Sequence, residues 1–197
     1  MTRIGITGGI GSGKSYICQL LKHRGIPVYH CDDEAKRLMT ESPIIRKELS
    51  LLIGEEAYQG NQLNKPFIAH YLFASATHAK RVGDIVHPVV KQDFALWAAQ
   101  QTAPIVAQEC ALLFETGFQD TVDYTIEVYA PYSLRLQRAV QRDNATPEQI
   151  KTRMAQQMDE EEKRQRADFC IFNDGREDLN EQIDLILKKL KQTKSEE

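Results

Sequence analysis

No stretch of this chain is apolar for long enough to cross a bilayer, which takes about 20 consecutive residues. The opening residues run straight into a strand-like pattern, with neither the basic stretch nor the apolar core of a secretory leader. Charge of one sign is lacking as well. The 25 Lys and Arg against 28 Asp and Glu leave a formal net charge of −3. That is no field for gathering nucleic acid or anionic lipid, so affinity for an anion has to be local. Cys18, Cys31, Cys110 and Cys170 lie far apart with no C-x-x-C pair, which argues against zinc or dithiol redox chemistry and for small reduced thiols in apolar surroundings. Repeats and low-complexity tracts are missing too, apart from the charged end Lys194-Ser195-Glu196-Glu197, where fraying is expected. These absences predict a cytoplasmic protein that binds neither nucleic acid nor membrane; a monomer or weak homo-oligomer is the expectation.

What is there begins at residue 8. Gly8-Gly9-Ile10-Gly11-Ser12-Gly13-Lys14-Ser15 completes the pattern G-x-x-x-x-G-K-S, between a strand-like run at Arg3–Thr7 and an amphipathic helical pattern from Ser15 onward. In that setting glycines let successive N–H groups turn inward, forming an anion-binding nest at a helix N-terminus. Lys14 can reach the β- and γ-phosphates, and the Ser15 hydroxyl can ligate Mg²⁺. The motif predicts a nucleoside triphosphate site.

The 197 residues suit one α/β domain, 1–197, with room for an insertion or a lid. Apolar runs near 2–7, 26–31, 104–109, 122–129 and 169–172 alternate with helical patterns at 14–24, 132–142 and 178–191. Such alternation predicts a parallel sheet sandwiched by helices. Two stretches break it. Residues 33–101 show no convincing strand but helical patterns at Pro43–Leu52, Pro66–Ala74 and Pro88–Gln100, as expected of a helical substrate-binding insertion. Residues 143–166 open on Thr146-Pro147-Glu148-Gln149, a strong helix start, and continue into the charged run Asp159–Arg164 with few apolar anchors. The run reads as a solvated face, and the segment as a lid.

In a parallel sheet the carboxyl ends of the strands share one rim, where ligands bind. Asp32 follows the second strand and should face that rim. It could accept the proton of an attacking hydroxyl, hold Mg²⁺ through water, or, with Asp33 and Glu34, simply favour a helix N-terminus. Glu109 ends the third strand and is a second candidate for organising Mg²⁺, with Glu115 a few residues on. Arg135, Arg138 and Arg142 share a helix face by spacing. That stripe can be solvated, or it can reach the transferring phosphoryl group. His87 stands out among the histidines because Pro88 fixes a helix start beside it.

Taken together these residues resemble the dephospho-CoA kinase family. The likeness runs through Gly5–Ser15, Val28–Asp32, His87-Pro88, Leu112-Leu113-Phe114-Glu115, Arg138, Gln141-Arg142-Asp143, Ala167-Asp168 and Asn173-Asp174-Gly175. The resemblance implies a P-loop kinase fold with a helical CoA-binding region and a lid. It implies ATP-dependent phosphorylation of the ribose 3′-hydroxyl of dephospho-CoA, giving CoA and ADP. Lys14, Asp32, Arg138 and Arg142 would then be catalytic. ATP would meet the loop from Gly8 to Tyr16, with Asn173 near the adenine, and Mg²⁺ would meet Ser15 and Glu109. Asp32, His87, Leu113 and Glu115 would contact the second substrate. The sequence departs from the family at His30-Cys31-Asp32, where Asp-Ala-Asp is usual, at Tyr16 for Thr, and at Ala111 for Pro. His30 could make the rate depend on pH near neutrality. Another nucleoside monophosphate or small-molecule kinase would share the core and lid, and a non-catalytic nucleotide-binding or switch protein would share the loop. A GTP switch needs Asn-Lys-x-Asp, and Asn64-Lys65 continues into Pro66-Phe67 without the acid.

Overall fold

The computed structural model describes residues 1–193, so the charged end at 194–197 lies outside the described residues. In chain order the elements are β1 (Thr2–Thr7), α1 (Lys14–His23), β2 (Val28–His30), α2 (Cys31–Glu41), α3 (Pro43–Ile53), β3 (Tyr58–Gln59), β4 (Gln62–Leu63) and α4 (Lys65–Ala74). They continue with α5 (Ala76–Ala99), β5 (Ile105–Glu109), β6 (Tyr124–Tyr129), α6 (Tyr132–Asp143), α7 (Pro147–Met154), α8 (Glu160–Arg166), β7 (Phe169–Phe172) and α9 (Leu179–Thr193). Residues 1–29 and 101 onward form one unit, residues 30–100 another.

The first unit is built on a five-stranded sheet in the order β2-β5-β1-β6-β7. β1 pairs in parallel with β5 and β6, and β6 with β7. Parallel strands covered on both faces read as unbroken apolar runs, and Ile4, Ile6, Ile126, Val128 and Ile171 form one core with Ile17 and Leu21 of α1 and Ile183, Ile186 and Leu190 of α9. Strands β1 and β7 have the predicted limits; the others begin later. β2 starts at Val28 because the Ile26 N–H is still held by the Leu21 carbonyl at the end of α1, 3.1 Å away. Register decides what reaches the rim: Ile6 lies opposite Glu109, Thr7 opposite Glu127, and Glu127 opposite Cys170. All four cysteines are free, and only Cys170 is less than buried.

The second unit corrects two expectations. A short β3–β4 hairpin sits where no strand is predicted, too brief for two-residue periodicity to register. The helix expected to start at Pro88 starts at Ala76, capped by Ser75, whose hydroxyl accepts the His78 N–H at 3.1 Å, and Pro88 lies inside it. Interior proline costs about 3 kcal/mol. Here Val82, Val86, Val90 and Phe94, one turn apart, are all buried, and at about 1.5–3 kcal/mol per buried side chain that stripe outweighs the lost hydrogen bond. Arg37 ties α2 to α5, bonding Glu34, Glu41 at 2.9 Å and Asp93 at 2.9 Å. Phe94 is completely buried and stacks on Trp97. Phe94→Ala should therefore destabilise the protein by about 3–5 kcal/mol in denaturant titration, and a loss below 1 kcal/mol would mean this stripe is not the core of the unit.

Candidate active site

Gly8 to Gly13 carry the chain from the end of β1 to the start of α1. Gly11 and Gly13 hold φ of 80° and 99°, the left-handed region that favours glycine. Neither has room for a Cβ: at Gly11 it would strike the Arg135 carbonyl, and at Gly13 the Asn173 amide. The Ser12 N–H donates to the Gly9 carbonyl at 3.1 Å, closing the turn. Lys14 folds back over the loop, its Nζ 2.6 Å from the Gly8 carbonyl. Ser15 and Tyr16 stand exposed on the first turn of α1, the electropositive end of that helix.

Asn173, expected near an adenine, braces the loop. Its Nδ2 donates to the Ser12 carbonyl at 2.7 Å and its own N–H to the Tyr129 carbonyl at 2.8 Å. Arg138 donates to the Asn173 carbonyl at 3.0 Å. The three arginines of α6 do not form one solvated stripe. Arg135 is buried, with its Nε on the Ala130 carbonyl at 3.1 Å; Arg138 is half-buried; Arg142 is exposed. Arg142 grips Asp143 at 2.7 Å, and Arg153 shares that carboxylate at 2.7 Å, holding the Asp143 carboxyl down at about 2.

Residues 143–166 also differ from expectation. The capping box at Thr146 and Gln149 is present as the sequence predicts. Apolar anchors exist too: Ile150 and Met154 pack with Ala139, and Ile10, Leu136 and Val140 lie against them. The charged run is not a solvated face, because Glu160 and Lys163 are buried. Glu160 accepts the Gly9 N–H at 3.0 Å and Gln157 the Ile10 N–H at 2.9 Å. The segment thus lies on the phosphate loop. Glu115 joins it, accepting the Met158 N–H at 2.9 Å with the Lys163 ammonium 3.3 Å away. A cleft of about 270 Å³ opens among Tyr132, Arg135, Lys151, Gln157 and Glu160. A wider one of about 450 Å³, lined by Arg24, Ile26, Pro104, Asp184 and Lys188, touches none of the residues predicted for the site.

Glu109 ends β5 half-buried, and its charge reaches Cys18 together with that of Lys14. Leu113 is completely buried, its side chain packed beneath Gly5. In the second unit Asp32, Asp33 and Glu34 occupy the first turn of α2, where carboxylates suit the helix dipole. His87 is half-buried one turn after Gly83, and a Cβ there would meet its ring. Burial, then Lys91, lowers the His87 pKa, while Asp84 and Asp32 raise it.

Gln157, Glu160 and Lys163 escape sequence reasoning, and so does Glu127. Glu127 is completely buried on β6, and neither carboxyl oxygen has a hydrogen-bond partner. Burial and then the Glu160 charge push it up to about 8, against Lys163, Arg164 and Arg135. The folded state therefore binds this proton more tightly than the unfolded chain, and stability is lost as pH rises from the ordinary carboxyl range to about 8. Glu127→Gln removes that loss, whose upper bound is about 5 kcal/mol. Its melting temperature should exceed that of the unsubstituted protein by more at about pH 9 than at about pH 5; an equal gap at both would show that Glu127 does not titrate in this way.

The dephospho-CoA kinase family model matches residues 2–178. A dephospho-CoA kinase of Bacteroides fragilis is 52% identical over 182 residues, covering 92% of this chain and 89% of that protein. A Thermus thermophilus protein of known structure superposes with a TM-score of 0.84 at 34% identity, covering 96% of this chain and 97% of its own. The dephospho-CoA kinase of Campylobacter jejuni shares the fold, with a TM-score of 0.67 at 22% identity and 98% of each chain covered. With a family match from the second residue to the turn before the last helix, and a near relative across the same span, this chain belongs to the dephospho-CoA kinase family.

Proposed function

We propose that the chain transfers the γ-phosphoryl group of ATP to the ribose 3′-hydroxyl of dephospho-CoA, yielding CoA and ADP, the last step of CoA synthesis. Membership of the family carries this reading, and the phosphate loop supports it with Lys14 and Ser15 in place. The 3′-oxygen attacks the γ-phosphorus, the bond to the β–γ bridging oxygen breaks, and ADP departs with that oxygen. The hydroxyl proton passes to Asp32. Little covalent work is left to the protein, so positioning and charge stabilisation carry most of the rate.

The loop amides and Lys14 hold the β- and γ-phosphates. Mg²⁺ suits the exposed Ser15 hydroxyl and, through water, Glu109. When bound, the ion neutralises phosphate charge. Arg138 and Arg142 approach the nucleotide from α6, Arg142 by exchanging Asp143 for a phosphate oxygen. Residues 33–101 take the CoA moiety, with His87 among them. Residues 143–166 form the lid, and Glu115 anchors it.

Asp32→Asn separates a base from a carboxylate that only favours the helix dipole. In the first turn of α2 asparagine forfeits about 0.3–1 kcal/mol of dipole interaction and cannot take the proton. Asp32→Asn should bind ATP and lose roughly a hundred- to ten-thousand-fold in turnover of dephospho-CoA. Near-normal turnover would remove Asp32 as the base. Lys14→Ala should keep its melting temperature and lose turnover by about three orders of magnitude or more, since the transferring group loses its nearest charge. Unaltered ADP release in that variant would make the loop structural. Arg142→Ala should lower kcat more than it weakens dephospho-CoA, because its charge acts as transfer proceeds; a change confined to KM would place it in ground-state binding.

A further inference from the structure

We propose that Lys163 is a positioning residue for phosphoryl transfer, holding Glu160 against the Gly9 N–H so that the lid sets the shape of the phosphate loop. The inference rests on the kinase reading above. Lysine is among the side chains most costly to bury, yet Lys163 is completely enclosed. Its ammonium lies 3.3 Å from Glu115 and 3.7 Å from Glu160, ion-pair distances without an aligned hydrogen bond. A pair of that kind contributes little to stability, and an apolar replacement is often neutral or better. Stability therefore does not account for a lysine at this position.

Placement does. Both carboxylates beside Lys163 also accept a backbone N–H: Glu160 that of Gly9 at 3.0 Å, Glu115 that of Met158 at 2.9 Å. Gln157, next to Met158 on the turn before α8, takes the next loop N–H, that of Ile10, at 2.9 Å. Two successive amides of the loop are thus aimed by lid side chains. Glycine at position 9 permits this, since a Cβ there would collide with Glu160 and with Arg135. Arg135, 3.8 Å from Glu160, supplies a second cation. Lys163 and Arg135 therefore face Glu115, Glu160 and Glu127, with Arg164 held nearby by Glu161. With Glu127 carrying its proton the two inner cations meet two carboxylates, and the cluster beneath the loop adds no negative charge to oppose a triphosphate. Without Lys163 it would be an uncompensated anion at that spot.

The test uses the full chain and compares Lys163→Met, Glu160→Gln, the two combined, and Lys163→Arg. ATP affinity is measured by calorimetry without the second substrate, and kcat and KM with dephospho-CoA. Lys163→Met should weaken ATP about tenfold and lower kcat on the order of a hundredfold, leaving the KM for dephospho-CoA near its normal value. Lys163→Arg should restore most of both. If Lys163 acts through Glu160, the combined variant is no worse than Lys163→Met alone. Normal ATP affinity and kcat in a folded Lys163→Met, or losses that multiply in the combined variant, would overturn the proposal. Should Lys163→Met fail to fold, Glu160→Ala decides: it removes the acceptor from Gly9 while Glu115 still pairs Lys163, and normal ATP affinity there also overturns it. The calorimetric arm does not involve dephospho-CoA. An unsubstituted protein that binds ATP but leaves dephospho-CoA unphosphorylated would overturn the proposed function instead.

Discussion

Between Gly8 and Ser15 the chain turns sharply from β1 into α1, with the Gly9, Ile10 and Ser12 N–H groups each held by a different acceptor. A chain left to itself would not hold that shape, because three of its glycines keep a positive φ and a loop of glycines has the most conformational freedom to lose. The loop is therefore fixed from outside, by three separate elements. The end of β7 reaches in with Asn173 to Ser12, and the first turn of α6 brings the Arg135 carbonyl against Gly11. The segment from α7 to α8 holds Gly9 and Ile10. Each contact explains a small residue: a Cβ at 9, 11 or 13 would displace a brace rather than merely strain a turn.

The same rim carries acids that the register cannot avoid. Parallel pairing sets Glu109 opposite Ile6 and Glu127 opposite Thr7, so carboxyls arrive where β1 hands over to the loop. An unpaired buried carboxylate is too costly to keep ionised. Glu127 meets that cost by holding its proton, and Glu160 by meeting Arg135, Lys163 and a backbone N–H. The cations come from α6 and α8. The helices that cover the loop thereby also settle the electrostatics of the sheet below it, and fold and site share one set of contacts.

How much of this was legible in the sequence follows from the range of each interaction. The loop motif, the apolar strands β1 and β7, and the Thr146 capping box are local patterns, and all three stand in the structure where the residues indicate. Pro88 misled because a local breaker was weighed against a buried stripe visible only once α5 has neighbours. Leu113, beside Glu115 in a family motif, belongs to the core because β1 passes over it at Gly5. The Gly9–Glu160 contact spans 151 residues, and no spacing rule links its ends. Glu160 and Lys163 look like any exposed i, i+3 pair, and only the fold tells a solvated pair from an enclosed one.

Helix α6 shows how one periodicity can serve several ends. Spacings of three and four put Arg135, Arg138 and Arg142 on one face, but successive turns also carry them along the axis, away from the sheet. Depth then assigns the work. Arg135, deepest, loses its water and bonds backbone carbonyls; Arg138 braces Asn173; Arg142, in solvent, keeps only a neighbouring carboxylate. On the same helix Ala139 receives Ile150 of α7. The two halves of the segment 143–166 are therefore attached by different forces. α7 is held by apolar packing, which has no competitor in a nucleotide. The turn after α7 and the start of α8 meet the loop through the Gln157 amide oxygen and the Glu160 carboxylate, polar contacts that set the direction of the Ile10 and Gly9 N–H groups.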